Sequence, residues 1–242
     1  MSSQTQLMEL YPNVKVNAIV SGGPAAALKT DLPTIIFLHF WGGSARTWSL
    51  VNPIISAKPD VEDAYSISAL ADDVEAVIAA LKIPEAVLVG LSMGAKVAQL
   101  VVARGKALLR ARHARAAALH AYDSEESAGF VAANVLAVSY RDRALPSFAM
   151  EDMLHGNRWA RMAWPTRGMA EDVSEGAGGI SLPVLVLAAD EDVVEPVERV
   201  RTEVCARIPG LKLVVLSDSR HLSPLGKPEA VAENLFEFLE KL

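Results

Sequence analysis

The chain has 242 residues, 51% hydrophobic and 21% charged, with a formal net charge of −6 at pH 7, a size and apolar share that suit one globular domain with a substantial core. The negative balance argues against nucleic acid or an acidic membrane surface as the main partner. Cys205 is the only cysteine, which excludes a disulfide framework and a cysteine-rich metal site.

In chain order, the amino terminus MSSQTQLMELYPNVKV lacks a basic region followed by an apolar stretch, and no apolar run anywhere approaches the ~18 residues of a membrane helix. The expected setting is cytoplasmic, away from membranes. VKVNAIV (14–20) and TIIFLH (34–39) read as strands. ALADDVEAVIAAL (69–81) reads as a helix with Val74, Val77, Ile78 and Leu81 on one face, and Asp72, Asp73 and Glu75 near its start, where the dipole favours acids. AVLVG (86–90) is a strand, and a helix opens at Gly94.

The region from 106 to 179 breaks this rhythm. KALLRARHARAAALHA (106–121) is basic and alanine-rich, with the composition of a solvated segment. SEESAGFVAANVLAVSY (124–140) reads as a helix, with Asp123 and Glu126 as a capping box. Met153, Trp159, Met162, Trp164 and Met169 make the rest apolar. They either line a pocket for an acyl or aromatic substrate or pack a helical cap onto the sheet. VLVLAA (184–189) and LKLVVL (211–216) are strands flanking a helix opened by Pro196. The last helix starts at Pro228 and turns Val231, Leu235, Phe238, Leu239 and Leu242 inward. Apolar strands alternating with amphipathic helices predict an α/β domain over 1–242, its mostly parallel sheet covered on both faces. The core spans 1–105 and 180–242, and the insertion 106–179 is a helical cap.

Chemistry concentrates at VLVGLSMGAKVAQL (87–100), where Gly90-Leu91-Ser92-Met93-Gly94 places one serine between two glycines at a strand-to-helix step. Such a turn forces the serine into a strained backbone and projects its hydroxyl beside a helix amino terminus. A serine hydroxyl needs a base, and the base needs an orienting acid. Of the five histidines, His113 and His120 lie in the basic segment and His155 in the cap. His39 closes a strand before a Gly-Gly loop, and His221 follows a late strand. Asp190, Glu191 and Asp192 all follow the strand at 184–189. The order Ser92, Asp192, His221 puts each group after the carboxyl end of a strand, where open parallel sheets build sites. The loop His39-Phe40-Trp41-Gly42-Gly43-Ser44 could aim a backbone N–H at the same point as that of Met93, with Trp41 the first candidate and Phe40 the second.

These pieces resemble the α/β-hydrolase fold superfamily: FLHFWGGSARTW (37–48), AYSISALADDVEAVIAAL (64–81), VLVGLSMG (87–94), PVLVLAADEDVVEP (183–196) and SRHLSPLGKPEAVAENLFEFL (219–239). The resemblance implies Ser92 as nucleophile, His221 as base and Asp192, rather than Asp190, as acid. It implies that Trp41 and Met93 supply the oxyanion N–H groups, and that His39 packs beneath the oxyanion loop. It points to small cofactor-free esterases, lactonases and perhydrolases, so no metal or organic cofactor is expected. A small-molecule ester or lactone is the expected partner, bordered by Phe40, Trp159 and Trp164. A serine at the corner argues against haloalkane dehalogenase and epoxide hydrolase chemistry, which use aspartate there. Phe40 stands where the family usually has glycine. WSLVNPIISAKPDVEDAYSIS (48–68) lacks the strand and Asp-x-x-Gly-x-Gly-x-Ser loop of the family, and 106–121 lacks the next expected strand. The resemblance thus implies a sheet short of one or two interior strands. That loss favours, as the alternative to an esterase, a non-catalytic hydrolase-like scaffold; a perhydrolase or haloperoxidase activity through the same triad is the other alternative.

Overall fold

The computed structural model describes residues 3–11, 14–21, 34–49, 65–83, 85–104, 121–136, 145–174 and 176–242. Among these residues the strands form three two-stranded ladders. Strands β1 (Ser3–Tyr11) and β2 (Val14–Ser21) pair antiparallel with Leu7 opposite Asn17. The first of them is not legible in the sequence, because adjacent Leu7 and Met8 break the alternation that marks a strand. β3 (Thr34–Leu38) runs parallel to β4 (Ala86–Gly90) with Ile36 opposite Leu88. β5 (Leu185–Ala189) runs parallel to β6 (Lys212–Leu216) with Leu187 opposite Val214.

Parallel partners need crossover connections. Between β3 and β4 lies helix α1 (Ile67–Ala80), started by Ser66, whose side chain accepts the Ala69 N–H at 3.0 Å. It buries Ile67, Ala71, Val74 and Val77, joining the expected face to one turn before it. α2 (Met93–Ala103) follows β4 and buries Val97, Leu100 and Ala103 against α1 and β3. Between β5 and β6, α6 (Val197–Val200) opens after Pro196 and widens into a π-helical turn over Arg201–Cys205. The short α7 (Ser223–Gly226) and α8 (Pro228–Leu239) close the chain, with Val231 seated beneath Phe37 and Trp48. Leu242, expected inward, is instead exposed, because α8 ends three residues before it.

The cap contributes α3 (Glu125–Val131), α4 (Ser147–His155) and α5 (Arg158–Thr166). A capping box starts α3 one residue later than the sequence suggests. Ser124, not Asp123, accepts the N–H of the third helical residue, and that residue is Ser127, not Glu126. The Ser127 hydroxyl in turn accepts the Ser124 N–H at 3.1 Å. The helix becomes π-helical over Ala132–Leu136. Met153 is fully buried among Ala128, Ala149 and Leu225, so it packs the cap onto the core rather than facing a ligand.

Helices therefore flank parallel strand pairs, as in an α/β sheet. Among the described residues no strand joins the β3–β4 ladder to the β5–β6 ladder. The stretches 50–64 and 105–120, which carry the implied strand losses and the basic segment with His113 and His120, lie outside the described residues. No helix among the described residues is long and apolar enough to cross a membrane.

Candidate active site

The turn between β4 and α2 is built by close backbone approach. A Cβ on Gly90 would sit 2.3 Å from the Gly94 carbonyl oxygen, and one on Gly94 would sit 2.4 Å from that of Leu38 and 2.7 Å from that of His39. Side-chain-free positions on both sides let the turn fold onto itself and onto the end of β3. There Leu91 N–H donates to Leu38 O at 3.0 Å. Between the glycines, Ser92 has φ 53° and ψ −114°, far from the helical values that follow it. An L-residue held there is strained by about 1–3 kcal/mol, which the surrounding bonds must enforce. A serine at a helix start ordinarily caps an N–H with its hydroxyl. Ser92 makes no such bond.

The loops after β5 and β6 are tied into one unit. Asp190 N–H donates to Leu216 O at 3.1 Å and Glu191 N–H to Ser219 O at 3.0 Å. Ser219 N–H returns a bond to Asp190 Oδ1 at 3.2 Å, and Arg220 Nε pairs with Glu191 Oε2 at 3.0 Å. Two of the three candidate acids are thus occupied in holding the loops together. The third, Asp192, places Oδ2 2.8 Å from His221 Nδ1. Its Oδ1 accepts the N–H groups of Val194 at 2.8 Å and Glu195 at 3.0 Å. The carboxylate is therefore held at both oxygens, and it fixes Nδ1 as the protonated nitrogen, leaving Nε2 as the basic one. Both side chains are almost sequestered, at 5% exposure for His221 and 8% for Asp192.

One apolar cluster gathers the neighbours of all these groups. Phe40 and Leu222 are buried in it, with Trp41, Leu91 and Val194 packed against them. Phe40 and Trp41 belong to the loop at 39–44, Leu91 and Leu222 adjoin Ser92 and His221, and Val194 lies two positions beyond Asp192. Phe40 needs no glycine conformation: it is absent from the positive-φ residues, and its 3%-exposed ring turns into this cluster and over Gly43. The larger side chain thus becomes core. Trp164 packs against a different cluster, its ring centroid 5.5 Å from Lys96 Nζ. Trp159 stacks with Arg158 on the first turn of α5, 4.8 Å from the guanidinium carbon, and joins neither cluster.

The comparison that decides membership is with protein-family models, where the description "Alpha/beta hydrolase family" matches residues 35–234. The chain belongs to the α/β-hydrolase family. No curated protein matches it. Among solved structures it is similar to carboxylesterase CesB (YbfK) from Bacillus subtilis, at 18% identity over 99% of this chain and 92% of that one, with a TM-score of 0.77. It is likewise similar to the enol-lactonase from Burkholderia xenovorans LB400, at 20% identity over 94% and 97% with a TM-score of 0.78. The esterase EaEST from Exiguobacterium antarcticum shares 16% identity over 98% and 100%, with a TM-score of 0.79. At these identities the likeness is one of fold.

Burial and neighbouring charge act oppositely on His39 and Asp192 of this α/β hydrolase. Burial lowers the pKa of His39, against the raising effects of its bond to Phe40 O and the nearby Asp152 charge. The ring is therefore neutral at pH 7, and its Nδ1–H donates to Phe40 O at 2.7 Å. It braces the loop from within. Burial alone would raise the Asp192 pKa, but the hydrogen bond and charge of His221 and the N–H groups of Glu195 and Val194 outweigh it, and the net shift is downward. A depressed folded-state pKa stabilises the fold above the ordinary carboxylate value, and that contribution disappears as pH falls through the depressed value. Urea unfolding at pH 6 and at pH 3 should accordingly show a larger loss of stability for the wild type than for Asp192→Asn. Equal losses would contradict the assignment of this charge to the folded state.

Three residues that sequence reasoning passes over, Glu151, Asp152 and Tyr122, brace the loop at 39–46. Ser44 Oγ donates to Asp152 Oδ2 at 2.6 Å, Arg46 Nε to Asp152 Oδ1 at 3.2 Å and Arg46 Nη1 to Glu151 at 2.9 Å. These bonds join the loop to α4. Tyr122 O–H donates to Trp41 O at 3.2 Å. They span 81 to 108 residues of chain, and no local pattern marks such partners. His155, by contrast, spends its Nδ1 on Glu151 O at 2.8 Å within its own helix. Among the described residues no group of three or more His, Cys, Asp or Glu side chains could hold a metal ion.

Proposed function

We propose that this α/β hydrolase cleaves a small or medium carboxylic ester or lactone through Ser92, His221 and Asp192. The reading rests chiefly on the buried 2.8 Å bond between His221 Nδ1 and Asp192 Oδ2, which draws a base and an acid from separate loops into one unit. Ser92 Oγ attacks the carbonyl carbon while His221 Nε2 takes its proton. Asp192 holds the imidazole in the required tautomer and stabilises the imidazolium. The oxyanion of the tetrahedral intermediate receives hydrogen bonds from the N–H groups of Trp41 and Met93. Among the described residues neither N–H has another acceptor, so both are available. His221 then returns its proton to the leaving alcohol, and water, deprotonated by the same imidazole, releases the acyl group and restores Ser92.

The esterase and lactonase neighbours support the bond class, and the partly buried apolar residues Trp41, Leu91 and Val194 around the site support an uncharged acyl group. Of the three residues expected to border it, Phe40 packs into the core beneath the site, and Trp159 and Trp164 lie outside that cluster. The proposal includes a cytoplasmic setting, in keeping with a lone cysteine that can form no disulfide within the chain.

The test is hydrolysis of p-nitrophenyl acetate, p-nitrophenyl butyrate and a γ-lactone by wild type and His221→Ala. Turnover by the wild type, with His221→Ala reduced by at least about 10³-fold, is the expected result. Folded wild-type protein that turns over none of the three would favour instead a non-catalytic hydrolase-like scaffold. Such a scaffold is the reading that a sheet lacking interior strands suggests.

A further inference from the structure

A backbone N–H can stabilise an oxyanion only if its direction is fixed before the charge develops. The Trp41 N–H is directed by the Phe40–Trp41 peptide plane and placed by the Trp41 Cα, which the Trp41–Gly42 plane holds from its other side. The Phe40–Trp41 plane carries the N–H itself. Its carbonyl, Phe40 O, accepts bonds from His39 Nδ1 at 2.7 Å and Gly43 N at 3.0 Å. In a planar trans peptide the N–H points opposite to the carbonyl, so these bonds aim the Trp41 N–H away from the loop's interior. The second plane, Trp41–Gly42, carries Trp41 O, and only the Tyr122 hydroxyl bonds to it among the described residues, at 3.2 Å. Rotation at Trp41 ψ is thus resisted by one phenol.

Tyr122 is placed to do this. It is 2% exposed, and its ring lies 4.4 Å from the Trp41 ring, centroid to centroid. It also fills the space beside Gly42, where a Cβ would fall 2.4 Å from Tyr122 Cε2, and where the backbone has φ +82°. Burial raises the phenol pKa far above its ordinary value, so the hydroxyl remains a donor at any working pH. Tyr122 is itself anchored: Arg161 Nη1 donates to its carbonyl at 2.5 Å, and the Trp41 indole Nε1 donates to Ala160 O and Arg161 O, each at 3.2 Å. Trp41 and Tyr122 therefore share one anchor, the first turn of α5.

We propose that Tyr122 is a positioning residue for the reaction, holding the Trp41 Cα in place through the Trp41 carbonyl and ring, so that the N–H directed by the Phe40–Trp41 plane meets the developing oxyanion. The role rests on the serine-hydrolase reading above. It acts through the backbone, so it concerns the transition state and not ground-state binding of the ester. Tyr122→Phe keeps the ring, the stacking and the filled space, and removes one hydroxyl.

The test compares wild type and Tyr122→Phe for p-nitrophenyl butyrate hydrolysis and for inhibition by an alkyl trifluoromethyl ketone, whose serine adduct carries an oxyanion. Circular dichroism melts define a temperature at which both proteins are folded. The expected result is a kcat lower by about 10-fold, below the 10²–10³ of losing a donor outright, with KM within about twofold. The inhibition constant should weaken by the same factor as kcat. Unchanged kcat and inhibition in Tyr122→Phe, or a change confined to KM, would overturn the positioning role while leaving the serine-hydrolase reading intact. A folded wild type with neither turnover nor inhibition would overturn both.

Discussion

Replacing Ser92 by alanine should lower kcat for p-nitrophenyl butyrate by about 10⁴- to 10⁶-fold and leave the fold intact. The serine is the only protein group in the proposed path that forms a bond to the substrate carbon. Stability should hold because alanine keeps the Cβ and removes only an oxygen that caps no helical N–H. The backbone strain at φ 53° remains, since alanine suffers it as serine does. Glycine does not. Ser92→Gly should be as inactive as Ser92→Ala but more stable than it by about 1 kcal/mol, measured by urea unfolding. A Ser92→Ala protein retaining near wild-type turnover would remove the serine from the mechanism.

The second large effect falls on stability. In Gly94→Ala the new Cβ would lie 2.4 Å from Leu38 O and 2.7 Å from His39 O. Both oxygens belong to backbone, which cannot swing aside as a side-chain tip can. Relief requires moving the end of β3 away from α2, and that breaks the 3.0 Å bond from Leu91 N–H to Leu38 O. The expected cost is about 3 kcal/mol, or about 6–12 °C in Tm for a domain of this size. Activity should fall with it, because the same movement separates Ser92 from the loop that carries Trp41. Gly179→Ala is the control, since no atom lies within 4 Å of a Cβ there, and its Tm should be unchanged within a degree or two. Equal melting of the two variants would show that the tight approach at Gly94 does not govern the turn.

Much of the fold is legible in the sequence for local reasons. TIIFL, AVLVG and LKLVVL are short apolar runs between amphipathic helices, and each becomes a parallel strand. The serine corner is legible too, because Gly-x-Ser-x-Gly coincides with a switch from strand to helix periodicity. What periodicity cannot supply is a choice among chemically similar neighbours. Asp190, Glu191 and Asp192 differ only in where each carboxylate finds its donors: Ser219 N–H, Arg220 and His221 respectively. In Asp123-Ser124-Glu125-Glu126-Ser127 two capping registers lie one residue apart, and reciprocal bonding selects the serine pair. Met153 carries the same apolar character whether it lines a pocket or packs a core, and only its complete burial decides. Asp152 and Tyr122 touch the loop at 44–46 and Trp41 across long stretches of chain, so no local pattern could have announced them.

Ser92 is proposed as an activated nucleophile, and a fluorophosphonate probe reads that property without any knowledge of the substrate. The folded protein should acquire one adduct by intact mass, with fluoride displaced and a phosphorus–oxygen bond formed at Ser92 on peptide mapping. His221→Ala and denatured wild-type protein should acquire none on the same timescale. A folded wild type that stays unlabelled, or one labelled at another residue while Ser92 is spared, would contradict the account.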